Sequence, residues 1–404
     1  NMGLGLGLGI WWPIQTSIIP GLLKLLKARA DYFENKTCTT NILESIAAVR
    51  YSRINPPSFP NWEDNNVDSS LFIDALVAQT STGTFDTTEI NILNATPTGN
   101  YVYSGGVLAP NGKIYEIPLG AAQVVEIDTI DDSVATFGNL GGGFKWYGGV
   151  LAPNGKIYSI PLNSTQVLEI DPVSQTTALF GSLSGTNKYR GGVLAPNGKI
   201  YGIPRDATQI LEIDPATKTT ALFGSLSGTA KWSGGVLAPN GKIYGIPLSS
   251  TQVLEIDPVA QTTALFGSLS GNIKWDGGVL APNGKIYGMP HNSSSVLEID
   301  PVAQTTALFG SLSGGNGKFR GGALGPNGKV YGAPAQLGKA LEIDPVTQTT
   351  ALFGSFGGGD KFGGGVLAPN GSIYFITTKA KTAKVGLNNP QPENMVNSRY
   401  LNKY

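Results

Sequence analysis

Cysteine, histidine and surplus charge of either sign are what this chain has least of. Cys38 is its only cysteine and His291 its only histidine. No disulfide can form within the chain, so the fold has to hold by packing. Cys38 has no basic neighbour and reads as a small buried apolar residue. A single histidine without cysteine or carboxylate company makes no metal site, and His291 reads as a loop residue. Acidic and basic side chains number 28 each, the formal net charge is zero, and only 14% of residues are charged. There is no basic stripe, so a nucleic-acid partner is not expected. Low charge and 41% apolar residues also argue against disorder. The apolar start is interrupted by Pro13, Gln15, Thr16, Ser17 and Pro20, short of the about 20 residues of a membrane helix. It also lacks the basic leader of an export signal, so membrane insertion is not expected. A Ser-His-Asp set, a phosphate loop and an HExxH motif are all missing. No catalytic residue, metal or cofactor is expected.

Glycine, by contrast, is abundant, at 55 residues, and much of it is periodic. Gly-Gly-Val-Leu-Ala-Pro-Asn-Gly-Lys-Ile-Tyr begins at Gly105 and returns at Gly148, Gly191, Gly234, Gly277, Gly321 and Gly364. The spacing is 43 residues except for one of 44, where Asn316 and Gly317 help stretch it. Such a period marks an array of like supersecondary units.

Each unit splits into four short strands with period-2 patterning. In the fourth copy they are expected at Gly234–Ala238, Lys242–Ile246, Gln252–Ile256 and Thr262–Gly267. Asn240-Gly241 reads as a two-residue type I′ hairpin turn, since both residues tolerate positive φ. Asp257-Pro258 reads as a turn in which the carboxylate accepts from backbone amides. Four antiparallel strands, repeated seven times, predict an all-β, seven-bladed β-propeller, with Gly-Gly at the crowded axis. The seventh copy stops at Pro390 without its fourth strand. Residues 87–93 stand upstream of the first copy where that strand belongs, so the N-terminal strand is expected to complete the last blade and close the ring. The domain boundaries follow: an N-terminal docking segment at 1–84, the propeller at 85–388 and a tail at 389–404.

Glu-Ile-Asp recurs in every copy but the last and resembles paired carboxylates. Six copies of a catalytic pair would be five too many, so the pairs read as structural. The Asp is assigned to the turn. The Glu is expected to pair with the lysine before each Gly-Gly (Lys145, Lys188, Lys231, Lys274, Lys318, Lys361). The aromatic two residues before each Gly-Gly, Tyr103, Trp146, Tyr189, Trp232, Trp275, Phe319 or Phe362, is expected to wedge between blades.

Variation between copies falls in two places: just before Gly-Gly, and between strands two and three. Both loops emerge on one face of the ring, opposite the uniform Pro-Asn-Gly and Asp-Pro turns. Ligand binding is therefore expected at Tyr147, Arg190, Arg205, Asp206, Asp276, His291, Asn292 and Arg320.

Ahead of the propeller, alternating Gly and Leu leads into Trp11-Trp12. Helices are expected at 22–27, 39–49 and 70–79, with a stiff proline-rich link at 55–62. As a strand, the ribbon would present Leu4, Leu6, Leu8 and Ile10 on one side beside Trp11 and Trp12, an apolar stripe that calls for a partner surface.

Two resemblances follow from these motifs. The Gly-Gly-Val-Leu-Ala-Pro-Asn-Gly-Lys-Ile-Tyr units with Glu-Ile-Asp-Pro and Thr-Thr resemble propeller repeats of bacterial and viral proteins. The N-terminus, with its Gly3–Ile10 ribbon followed by Arg29, Glu34, Cys38, Leu43 and Ile46, resembles tail and appendage proteins of tailed bacteriophages. The resemblance implies a virion structural protein. Its N-terminal segment would dock to other virion proteins, a homo-oligomer being one possible arrangement, and its propeller would face a host-surface glycan or protein. The alternative is a secreted or surface-attached bacterial propeller acting as an interaction module.

Overall fold

The computed structural model of the chain describes residues 90–94, 102–357, 359, 361–378 and 381–386. The expected helices, the ribbon with Leu4, Leu6, Leu8, Ile10, Trp11 and Trp12, Cys38 and the tail from 389 lie outside the described residues.

The described residues form a seven-bladed β-propeller, built from seven four-stranded antiparallel sheets. The fourth blade holds Trp232–Leu237, Ile243–Pro247, Val253–Asp257 and Thr262–Phe266, from axis to rim. Its inner strand starts two residues before the expected Gly234. The aromatic already pairs, Trp232 with Pro247, and the register then shifts before Gly235. The shift is a bulge at Gly234, whose φ of +74° an L side chain rarely adopts.

Gly-Gly does occupy the axis. A Cβ on Gly148 would lie 3.2 Å from the Gly191 Cα, and one on Gly234 would lie 3.0 Å from the Gly277 Cα. Neighbouring inner strands thus approach backbone to backbone, closer than any side chain permits.

The first turn differs from the expected type I′. Gly241 N–H donates to Ala238 O at 3.0 Å and Ala238 N–H to Lys242 O at 2.9 Å. Only Gly241 of the turn has positive φ. This is a three-residue loop, a type I turn closed by a left-handed glycine. Pro239 is the physical reason, because it has no N–H to donate to Lys242 in a two-residue hairpin and its φ near −65° suits the first corner of a type I turn. The second turn is as expected: Asp257 Oδ1 accepts from the amides of Val259 at 3.0 Å and Ala260 at 2.9 Å.

The core lies between blades rather than within them. Trp232 packs with Leu254 and Ile256 of its own blade and with Tyr201, Ile203 and Ile210 of the one before. The recurring aromatics are buried in this way in all seven blades, as wedges. Nearer the rim, the Tyr244 ring meets Phe266 edge-on at 6.0 Å.

The recurring Glu does not pair with the lysine before Gly-Gly. Glu126 accepts from Lys113 Nζ at 2.6 Å, from the Tyr115 hydroxyl at 2.7 Å and from Gln175 Nε2 of the next blade at 3.1 Å. Burial alone would raise the Glu126 carboxyl, but these donors outweigh it and hold the group below its ordinary value. Lys145 instead donates to three backbone carbonyls, Ala121, Gly141 and Gly143, at 2.7–3.1 Å. The two groups sit at opposite ends of the blade. The Glu lies beside the uniform turns, whereas this lysine ties together the loops of the varied face.

The ring closes as expected. Ile90–Asn94 lies antiparallel to Lys381–Val385, from Ile90 opposite Val385 to Asn94 opposite Lys381. Ile90 packs into the cluster between blades six and seven, and Leu93 into the one between blades seven and one. One short strand therefore touches both sides of the seam.

Candidate functional site

The residue before each Gly-Gly is the second of the inner strand, on the varied face, so six copies place one side chain each around the axial mouth and the seventh has Gly363. Arg190 of the third blade is the hub. Its Nη2 donates to the Tyr147 hydroxyl of the second blade at 2.8 Å and to Asp276 Oδ2 of the fifth at 2.9 Å. The guanidinium also stacks over the Tyr147 ring, 4.4 Å from its centroid. Ser233, on the blade between, donates to Asp276 Oδ1 at 2.6 Å. Arg320 Nε of the sixth blade stands 3.7 Å from Asp276 Oδ2. One carboxylate thus gathers partners from three other blades, and Tyr147 extends the group to a fourth.

The electrostatics follow from burial and pairing. Burial would raise the Asp276 carboxyl, but Arg190, His291 and Arg320 together outweigh it and hold the group below its ordinary value. Burial would likewise lower Arg190, and Asp276 more than reverses this, so the guanidinium stays charged. Arg190 Nε is buried without a hydrogen-bond partner. His291 is pushed down by burial, against the pull of Asp276.

Of the other expected residues, Arg205 and Asp206 pair with each other at 3.0 Å. Asp206 Oδ1 also accepts from Ala230 N–H at 2.6 Å, and Asn292 Oδ1 from Gly317 N–H at 3.0 Å. Asn163 and Ser249 accept in the same way from Asn187 and Ile273. In four copies this second loop position thus holds a side chain that accepts a hydrogen bond and clamps one varied loop to the other, whereas the first copy has Gly120 there. His291 Nδ1 lies 2.9 Å from Asn292 Oδ1. The structure brings Tyr147, Arg190, Asp276 and Arg320 into one network, with His291 within electrostatic reach and the Arg205–Asp206 pair beside it.

A cavity of about 440 Å³ opens in the mouth. Arg190, Arg205, Arg320, Tyr147 and Phe144 are among its lining residues, and among the described residues no Asp or Glu is. Asp276 lies behind the arginines. Sequence reasoning passed over Ser233, although it stands in the same variable column, because a small hydroxyl drew no notice beside charged residues. It also passed over Ser104, which accepts from Gly148 N–H at 3.1 Å and donates to Trp146 O at 3.2 Å. Among the described residues no three His, Cys, Asp or Glu side chains are grouped to hold a metal ion.

No family model and no curated protein sequence matches the chain. Solved structures do. A streptogramin B lyase superposes with a TM-score of 0.65 at 11% identity, over 74% of this chain and 98% of that one. Virginiamycin B lyase from Staphylococcus aureus gives 0.65 at 12%, over 74% and 99%. Hydrazine synthase from Kuenenia stuttgartiensis gives 0.57 at 14%, over 72% and 97%. At such identities the likeness is one of fold, and it agrees with the seven blades counted from the repeat.

Proposed function

We propose that this chain is a non-enzymatic recognition propeller that takes its ligand at the axial mouth of the varied face. The observation that carries this reading is the Tyr147–Arg190–Asp276–Ser233–Arg320 network. On a ring of nearly identical blades, five side chains of four kinds converge at one place, around an open cavity. The carboxylates of the repeat are all committed elsewhere, the Glu to lysine and tyrosine and the Asp to turn amides. In its setting, the propeller is a virion appendage that presents this mouth to a host-surface glycan or protein, and Leu4, Leu6, Leu8, Ile10, Trp11 and Trp12 dock the chain to other virion proteins. The Gly/Leu ribbon supports that setting. The test has two parts. The chain should be found in purified phage particles, and the full chain should bind host cells, with Tyr147→Ala and Arg205→Ala weakening binding. Absence from particles together with secretion into the medium would favour a bacterial interaction module. The extracellular domain of a one component system from B. thetaiotaomicron, with a TM-score of 0.59 at 11% identity, is similar in fold and keeps that second reading in view.

A further inference from the structure

We infer that Asn316 is a site of spontaneous deamidation, at which its carboxamide is replaced by a carboxylate on the varied face. The inference concerns the chain's own chemistry and holds whatever the mouth binds.

The argument begins with the sequence. Asn-Gly occurs eight times, in the seven Pro-Asn-Gly turns and once more at Asn316-Gly317, inside the stretch that lengthens one repeat. Glycine carries no Cβ to hinder the approach of its amide nitrogen to the side chain before it. That nitrogen gives up its proton and bonds to the asparagine Cγ, while the Cγ–Nδ2 bond breaks and ammonia leaves. Water then opens the cyclic imide at either carbonyl. Opening at the side-chain carbonyl gives aspartate, and opening at the backbone carbonyl gives isoaspartate, with the chain rerouted through Cγ. Nothing but water is consumed.

What separates the eight is the carboxamide. In every Pro-Asn-Gly turn, from Asn111 to Asn370, Nδ2 donates to a tyrosine hydroxyl at 2.8–3.0 Å. Oδ1 of the same group accepts from the amide two residues on at 3.0–3.2 Å. Both bonds must break before Cγ can turn back onto the glycine nitrogen. Asn316 is exposed, and among the described residues its side chain makes no hydrogen bond. It sits between Gly315 and Gly317, both at positive φ, in the loop that joins Thr305–Phe309 to Phe319–Leu324. The nucleophile does not discriminate, because Gly317 N–H is held by Asn292 Oδ1 at 3.0 Å and the turn glycines donate to carbonyls at 3.0–3.1 Å. Asn316 thus keeps the reactive dipeptide and lacks the restraint.

The outcome bears on the varied face. The chain's formal net charge of zero becomes negative, with the new charge four residues ahead of Arg320. In the isoaspartyl form the backbone also gains a methylene just before Gly317, whose amide clamps this loop to Asn292.

The test follows the full chain over time in mildly alkaline buffer, folded and in urea, by ion exchange and tryptic peptide mapping. The varied residues around each site make the eight tryptic peptides distinct, and digestion at mildly acidic pH keeps the work-up from adding product. In the folded chain Asn316 should convert at least about tenfold faster than any turn asparagine, the factor that about one net hydrogen bond on the carboxamide supplies. In urea all eight should convert at like rates, since only the fold separates them. Asn316→Gln should remove the first acidic species on ion exchange. Tyr244→Phe takes away the partner of Asn240 Nδ2 and should speed Asn240 alone among the turns. Turn asparagines converting as fast as Asn316 in the folded chain would overturn the inference. So would an Asn316 that stays intact in the folded chain while converting in urea. Both readings come from the parent protein, so a variant that fails to fold cannot imitate them. An Asn240 as slow in Tyr244→Phe as in the parent overturns the account of the restraint.

Discussion

Glu116 has no counterpart in the other six copies, where the same place in the second strand holds Ser159, Gly202, Gly245, Gly288, Gly332 or Phe375. It is fully buried at the seam between the first and last blades and accepts from the Thr382 hydroxyl. Its Oε2 and the nearby Tyr103 hydroxyl are buried without hydrogen-bond partners. Burial pushes the carboxyl up to about 8 from 4.5, more than the Thr382 hydroxyl can offset. Between those two values the folded chain holds a proton that the unfolded chain has released. Stability therefore falls as pH rises through that window and levels off above it, by up to a few kcal/mol in order of magnitude. Thermal unfolding of the parent should shift downward between about pH 5 and pH 9, and Glu116→Gln should flatten that slope. An equal slope in both proteins would place the titration elsewhere. Periodicity could not reveal Glu116, because a repeat draws the eye to what recurs. The signal was a single charge in a column of small or apolar residues. A second residue-scale expectation concerns the axis. Gly234→Ala forces a Cβ into positive φ and to 3.0 Å from the Gly277 Cα, at a cost on the order of 2 kcal/mol or more in chemical denaturation.

Strands and turns were legible from the sequence to within about two residues, and the departures share one cause. Period-2 patterning marks which residues point inward, but not where pairing begins. The inner strand therefore extends back to Trp232, because an aromatic that wedges between blades can also pair with Pro247 across the bulge. Asn-Gly alone reads as a primed turn, and Pro239 before it overrides that reading. Two lysines recur in the first six copies, and sequence spacing does not say which end of the blade each occupies. Lys384 shows how the element solves the same problem at the seam. It takes the place of the recurrent Glu opposite Tyr374, and Asp132 takes the place of the recurrent Gln. Lys384 Nζ meets Asp132 Oδ2 at 2.8 Å, and the Tyr374 hydroxyl donates to Asp132 Oδ1 at 2.6 Å. The polarity of the other seams is reversed here. Asp132→Lys alone should cost about 1 kcal/mol or more by juxtaposing two cations. Combining it with Lys384→Glu should recover most of the loss, since Glu169 and Lys218 already make that arrangement at 3.1 Å. A double-mutant cycle in urea reads the coupling, and additive losses would refute it.

At the scale of the whole molecule, each blade packs on its two neighbours, and closure depends on a strand from the front of the chain meeting blade seven. Blade number and the place of closure could be read from the repeat alone. The convergence at the mouth could not, because it joins residues 86 positions apart, Arg190 and Asp276, whose meeting depends on the curvature of the ring. Excising one internal copy, residues 191–233, leaves neighbouring interfaces of familiar type but changes the closing angle. The expected outcome is that the N-terminal strand completes the last blade of another chain, giving dimers or larger species by light scattering where the parent runs as a smaller one. A well-behaved six-bladed monomer would show that the angle adapts.

The inner column has a consequence for inheritance. Every internal copy brings one side chain to the opening on a backing that its siblings share, so exchanging two copies in the gene reorders the lettering of the opening without disturbing the masonry beneath. Slippage between near-identical stretches of DNA, ordinarily a hazard, would here be a means of trying new specificities, with the first and last copies held out of the shuffle by their private match.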